Sequence, residues 1–279
     1  VAPPAYLRTA RMPWRQRAAE RLRPWINLAC VRRPGVPPVL RGAGLVLATT
    51  PETERLLRRG GAGNVAVAFP DCTPTDAAAA ALATRNDDRA AALADGVRLI
   101  WFGRALWWKG GQLAIELLRR LAATGVPCEL SIHSFGAALE SWRTRIAALG
   151  LSARCRIPGY VDRQTLLEEL ARTHVFVYPT IHDSSSSALL EAYAMGVPSL
   201  STGVGGPALV ATPATGYNER TPDLEAWLGA AVARAQQWQR DPAAWMAASA
   251  AARARAAEFG PGHVVRLAER WLSPAAYQR

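Results

Sequence analysis

Apolar and polar positions change their rhythm twice along this chain, near residue 45 and again near residue 97. Before the first change, between 13 and 33, basic and apolar residues alternate. Trp14, Ala18, Leu22, Trp25 and Ile26 fall on one helical stripe, which Pro24 is expected to interrupt. From 45 onward short apolar runs appear. LVLATT (45–50) predicts a buried strand, Pro51–Arg59 a helix opening at proline, and NVAVAF (64–69) a second strand. The stretch 70–96 is polar and Ala-rich. It reads as a linker with some helix and is the best place for a domain boundary.

A second series begins at 97. Strands are predicted at 97–103, 128–133, 154–157, 174–179 and 197–202. Helices are predicted between them at 110–124, 137–149, 163–172 and 187–195; GVGGPALV opens another, and the tail 222–279 reads as helical. Strands separated by helices of this length predict an α/β fold, a parallel sheet with helices on both faces. No internal repeat of fixed period is present.

Composition sharpens this picture. Half of the 279 residues are apolar, enough for one large or two modest cores. No apolar run reaches the length of a membrane span. The start, VAPPAYLRTARMPWRQR, is basic but lacks the apolar core of a signal peptide, and it has no initiator Met; a fragment or a processed chain is expected. The four cysteines are far apart and the four histidines lack metal-ligand spacing, which argues against a zinc site and for a reducing, cytoplasmic setting. Net charge is +11, and twelve arginines against three acids place +9 of it in residues 1–60. That basic segment fits a surface helix of a larger domain or a helix resting on an anionic membrane face. No nucleic-acid-binding module is recognisable. Lys109 is the single lysine among 32 arginines, a hint that its position wants a compact ammonium.

In open α/β sheets ligands bind beyond the carboxyl ends of the strands, so the residues that follow each strand carry the chemistry. After 97–103 comes GRALWWKGG. Arg104 and Lys109 flank a loop into a helix, which suits a diphosphate as well as it suits two solvated surface cations. After 174–179 comes TIHDSSSSALLEAYAMG. Serines at a helix start are ordinary caps. Capping leaves unexplained the acids at either end, Asp183 and Glu191, which this spacing could bring to one ligand crossing the helix N-terminus. A carboxylate such as Glu191 can accept two hydrogen bonds from a vicinal diol. GVGGP, after 197–202, lacks the spacing of a dinucleotide fingerprint, and no hydrolase elbow is present.

Taken in order, WFGRALWWKGG, IPGYVDRQTLLEELARTHVFVYPT and HDSSSSALLEAYAMGVPSLSTGVGG resemble the donor-binding half of retaining GT-B glycosyltransferases of family 4 type. The resemblance covers about residues 97–210, and 43–69 is similar to the end of the acceptor-side domain. It implies a Rossmann-like donor domain over 97–258 and part of a second Rossmann-like domain over 1–70. It also implies a linker over 71–96 and a C-terminal helix over 259–279 that packs back on the first domain.

Carried over by position, Arg104 and Lys109 would hold a nucleotide diphosphate behind Gly103, and Gly159, Tyr160 and Val161 would line the base. Glu191 would bind the ribose and Asp183 the transferred sugar, with Ser185, Ser186 and Ser187 near sugar and phosphate. Asp183 stands where Glu is usual, Ser185–Ser186 replace Phe–Gly, and His133 stands where a Gly is common. The implied reaction moves a sugar from a nucleoside-diphosphate donor to a glycan or lipid-linked acceptor, with retention, without metal or other cofactor, in polysaccharide synthesis. A nucleotide-sugar epimerase of the same fold and a non-catalytic binding module are the alternatives.

Overall fold

The computed structural model describes residues 4–69, 73, 86–184 and 186–272. Ser185 and most of the predicted linker lie outside the described residues.

Six parallel strands form the main sheet: β3 (Val97–Arg104), β4 (Cys128–Phe135), β5 (Cys155–Gly159), β6 (Val175–Tyr178), β7 (Ser199–Ser201) and β8 (Gly216–Tyr217). Their order is β5-β4-β3-β6-β7-β8. The chain therefore winds outward from β3 in one direction, then returns to start again at β6. The boundary between β3 and β6 is the topological switch point, where a crevice opens beyond the carboxyl ends. All five strands predicted from 97 onward are present within two residues of their expected ends.

Alternation along the strands builds two cores. Leu99 and Trp101 of β3 and Val175 and Val177 of β6 face one layer, where Trp142, Trp227 and Trp245 are fully buried. Ile100, Phe102, Phe176 and Tyr178 face the other, with Leu189, Leu190 and Tyr193. Strands buried on both faces need no polar alternation, so they read as continuous apolar runs.

The residues before 69 form α1 (Pro4–Thr9), α2 (Trp14–Val31), α3 (Val36–Gly42), β1 (Val46–Ala48), α4 (Pro51–Arg59) and β2 (Val65–Val67). β1 and β2 pair in parallel as a separate two-stranded sheet. The expected break at Pro24 is corrected: α2 runs on through it. A proline costs one backbone hydrogen bond, and just before it Arg23 clamps Glu20 with two hydrogen bonds of 2.9 Å across one turn. The predicted apolar stripe faces outward: Trp14, Leu22, Trp25 and Ile26 are exposed, whereas Glu20 is buried.

Residues 4–12 pack on the main sheet. Tyr6, Leu7, Ala10 and Met12 join its first core. Arg11 reaches both the buried Glu116 at 3.3 Å and Glu225 at 3.1 Å. α5 (Asn86–Ala92) precedes β3 and α7 (Leu139–Ala148) joins β4 to β5; after the sheet, the chain closes with α11 (Leu224–Arg240), α12 (Pro242–Glu258) and α13 (Gly262–Leu272), α10 being the short Pro207–Val210. Phe259 meets Phe69 edge to face at 5.6 Å, and His263 contacts the Phe69 carbonyl at 2.8 Å. Those contacts set the start of α13 beside the end of β2.

Candidate functional site

β3 ends at Gly103 and Arg104, and a short turn, Trp107–Lys109, leads into α6 (Gly111–Ala123). Gly110 caps that helix in the left-handed region, φ +82°, and a β-carbon there would stand 2.3 Å from the Pro179 carbonyl oxygen. Only glycine admits both the backbone angle and the close approach. The Lys–Gly pair thus seats the lysine turn against the end of β6.

Beyond β6 the loop 179–186 carries Asp183 and runs into α9 (Ser187–Ala194). Lys109 Nζ lies 2.5 Å from Asp183 Oδ2. Tyr178, the last residue of β6, donates its hydroxyl to the same carboxylate oxygen. The two candidate residues that the resemblance assigns to the diphosphate and the sugar therefore meet across the switch point. The loop is braced from the far side by the glycine turn after β7. Gly206 N–H donates to Asp183 O at 2.7 Å, and a β-carbon on Gly205 would sit 2.2 Å from that oxygen.

Ser186 occupies the cap position of α9 at φ −132°, an angle any residue adopts, so a serine is accommodated where the resemblance has glycine. It is fully buried, and its carbonyl accepts from Leu189 and Leu190. The first amides of α9 have no acceptor inside the helix, which gives this end a positive character. Ser187 is exposed beside it.

Glu191 lies one turn into α9 and pairs with Arg163, Nη1 to Oε1 at 3.3 Å. Burial pushes its carboxyl above the usual range, and Arg163 opposes that rise. Arg163 opens α8 (Arg163–Leu170), just after the β5 end where Gly159, Tyr160 and Val161 sit. Tyr160 is 75% exposed and touches Phe135 edge to face at 5.8 Å. Arg104 is exposed at its strand end and makes no ion pair among the described residues. His133 faces inward instead, 2.7 Å from Ser131 Oγ, and burial pushes its pKa down.

A cavity of about 310 Å³ opens on Asp183 from the side of α2 and α4, with Glu20, Asn27, Thr50, Glu52 and Thr53 on its wall. His182 ties this wall to the loop. Its ring stacks on Trp108 at 5.1 Å, and its Nε2 stands 3.1 Å from Glu20 Oε2. Burial would raise the Glu20 pKa, but His182 and Arg23 hold it below the ordinary value. Tyr178, Arg163, His182 and Glu20 escaped sequence reasoning. The first three follow or end a strand, which is a usable signal; nothing local marks Glu20.

The chain belongs to the family described as glycosyl transferases group 1, whose model matches residues 96–236. Its sheet and flanking helices match GT-B glycosyltransferase structures. Sucrose-phosphate synthase from Thermosynechococcus elongatus aligns with a TM-score of 0.66 at 20% identity, over 85% of this chain and 59% of that one. Anabaena Alr3699/HepE, in complex with UDP and glucose, aligns at 0.60 and 15% identity, over 82% and 63%. In sequence, 2-deoxystreptamine N-acetyl-D-glucosaminyltransferase of Niallia circulans is 27% identical over 114 residues, 41% of this chain and 29% of that enzyme. The chain thus spans only part of the length of each. Among the described residues, no helix is long and apolar enough to cross a membrane.

Proposed function

We propose that the chain is the donor-binding part of a retaining glycosyltransferase of family 4 type, which moves a hexosyl group from a nucleoside-diphosphate sugar to an acceptor hydroxyl. The observation that carries this reading is the meeting of Lys109 and Asp183 across the switch point, 2.5 Å apart, beside the open end of α9. One is a diphosphate partner and the other a sugar-hydroxyl acceptor. Gly159, Tyr160 and Val161 line the base, and Glu191 receives the ribose hydroxyls.

In the reaction the glycosidic bond to the diphosphate stretches, the sugar gains oxocarbenium character, and negative charge gathers on the departing phosphate. Arg104, Lys109 and the α9 amides stabilise that charge as it develops. Such fixed positive groups can take the part of a metal, so the reading needs none. Asp183 orients the sugar through its hydroxyls. The polar cavity against α2 and α4 receives the acceptor, and its hydroxyl, amide and carboxylate walls suit a polyhydroxylated glycan or the carbohydrate end of a lipid-linked molecule. The exposed Trp14, Leu22, Trp25 and Ile26, with Arg15 and Arg21 exposed among them, support peripheral contact with the cytoplasmic membrane face.

The test is release of nucleoside diphosphate from UDP-, GDP- and ADP-sugars with acceptor extracts, using the full-length protein. Arg104→Ala should slow release roughly 10²–10³-fold. Equal turnover in the variant contradicts the assignment.

A further inference from the structure

Two of the groups that meet the Asp183 carboxylate, Lys109 and Tyr178, differ in mobility. Lys109 approaches from a turn on a flexible four-carbon stem, and its ammonium is also 5.9 Å from the centre of the Tyr178 ring. Tyr178 approaches from the sheet itself. It is 3% exposed, and its ring stacks on Phe176 at 5.1 Å within the second core. Both meet the same oxygen, Oδ2, of a carboxylate whose side chain is only 10% exposed.

A nucleoside diphosphate brings at least two negative charges to the lysine turn. Lys109 then has a stronger anion to face than Asp183, and its stem lets it turn. The locked phenol cannot follow. We propose that Tyr178 is a positioning residue of the donor site, holding Asp183 at the sugar end when Lys109 turns to the diphosphate. This inference rests on the donor-site reading above. It also separates two parts of donor affinity: the hydroxyl of Tyr178 matters to the sugar and not to the diphosphate.

Calorimetric titration of the chain with matched probes distinguishes these parts: UDP with UDP-glucose, GDP with GDP-mannose, and ADP with ADP-glucose. Tyr178→Phe keeps the ring and removes only the hydroxyl. It should leave affinity for the bare diphosphate within about twofold and weaken the nucleotide sugar about tenfold, the scale of one hydrogen bond to a charged group. Asp183→Asn should show the same split, with the bare diphosphate bound as well or better because Lys109 is released. It serves as the second variant should Tyr178→Phe lower the melting temperature markedly. Equal loss for both probes, or no loss for either, overturns the role of Tyr178 and leaves the donor site standing. Failure of the wild-type chain to bind any probe overturns both.

Discussion

Arg163 Nη1 stands 3.3 Å from Glu191 Oε1, so the first residue of α8 neutralises a carboxylate one turn inside α9. The pair joins the end of β5, proposed to line the base, to the residue proposed to hold the ribose. Burial pushes the Glu191 carboxyl up and Arg163 pulls it back. A raised carboxyl takes a proton as pH falls, and a protonated acid has lost its charge and turned one oxygen into a donor, so it accepts a diol's two hydrogen bonds less well. Nucleotide affinity should therefore fall on acidification, beginning above the pH at which an ordinary glutamate takes its proton. In Arg163→Ala the same fall should begin at higher pH. Titrations across that fall check it; parallel curves for the two proteins contradict the pairing.

Gly110 and Gly125 share a left-handed backbone, φ +82° and +83°, but only Gly110 faces a carbonyl at clashing distance. Gly125→Ala should cost about 1 kcal/mol, for the backbone alone. Gly110→Ala must also displace the lysine turn from β6 and should cost about 2 kcal/mol more. Chemical denaturation of both variants measures the difference. Equal losses would show that the close approach to Pro179 is unimportant.

His174 is fully buried at the start of β6, and burial pushes its pKa down to about 4. Its Nδ1 accepts the Arg98 N–H at 2.9 Å and its Nε2 contacts the Arg89 carbonyl at 3.0 Å, an arrangement that requires the neutral ring. In the unfolded chain the ring takes a proton near pH 6.5, while the folded chain resists until about 4. Stability should therefore be full above 6.5 and fall by about 3 kcal/mol as pH drops to 4. His174→Gln should be less stable at neutral pH and lack this slope. Glu116, held down to about 2 by its arginines, adds its own loss only below about 4.5.

The outward tryptophans of α2 make the membrane proposal testable. The wild-type chain should sediment with vesicles rich in phosphatidylglycerol and less with neutral ones, and added salt should weaken binding. Replacing Trp14 and Trp25 together by serine should reduce it at least tenfold. Absence of sedimentation, or indifference to the two tryptophans, rules the contact out.

The two-residue β8 was too short to read, but the other five strands of the sheet were legible because they are short apolar runs separated by helices. Their carboxyl ends followed directly, and with them Arg104, Lys109, Asp183 and Glu191. What lies between those ends was not legible. Lys109 and Asp183 are 74 residues apart, and only the parallel pairing of β3 with β6 brings them into contact. Tyr178 read as one more strand residue, since its ring is core and only its hydroxyl serves the site. α2 was legible in part. Its stripe fitted a surface helix or one resting on a membrane face, but nothing local marked Glu20 as the residue that turns in, where His182 and Arg23 meet it. Periodicity reports which residues share a face, not what that face meets.

On the function proposed above, the carboxyl ends of β3 and β6 form a nucleoside-diphosphate site. Calorimetric titration of this chain with UDP, GDP and ADP at low salt tests it most directly. One of the three should bind at one site per chain, and Lys109→Ala should weaken it at least tenfold. No heat of binding for any of them, or unchanged affinity in the variant, would contradict the account.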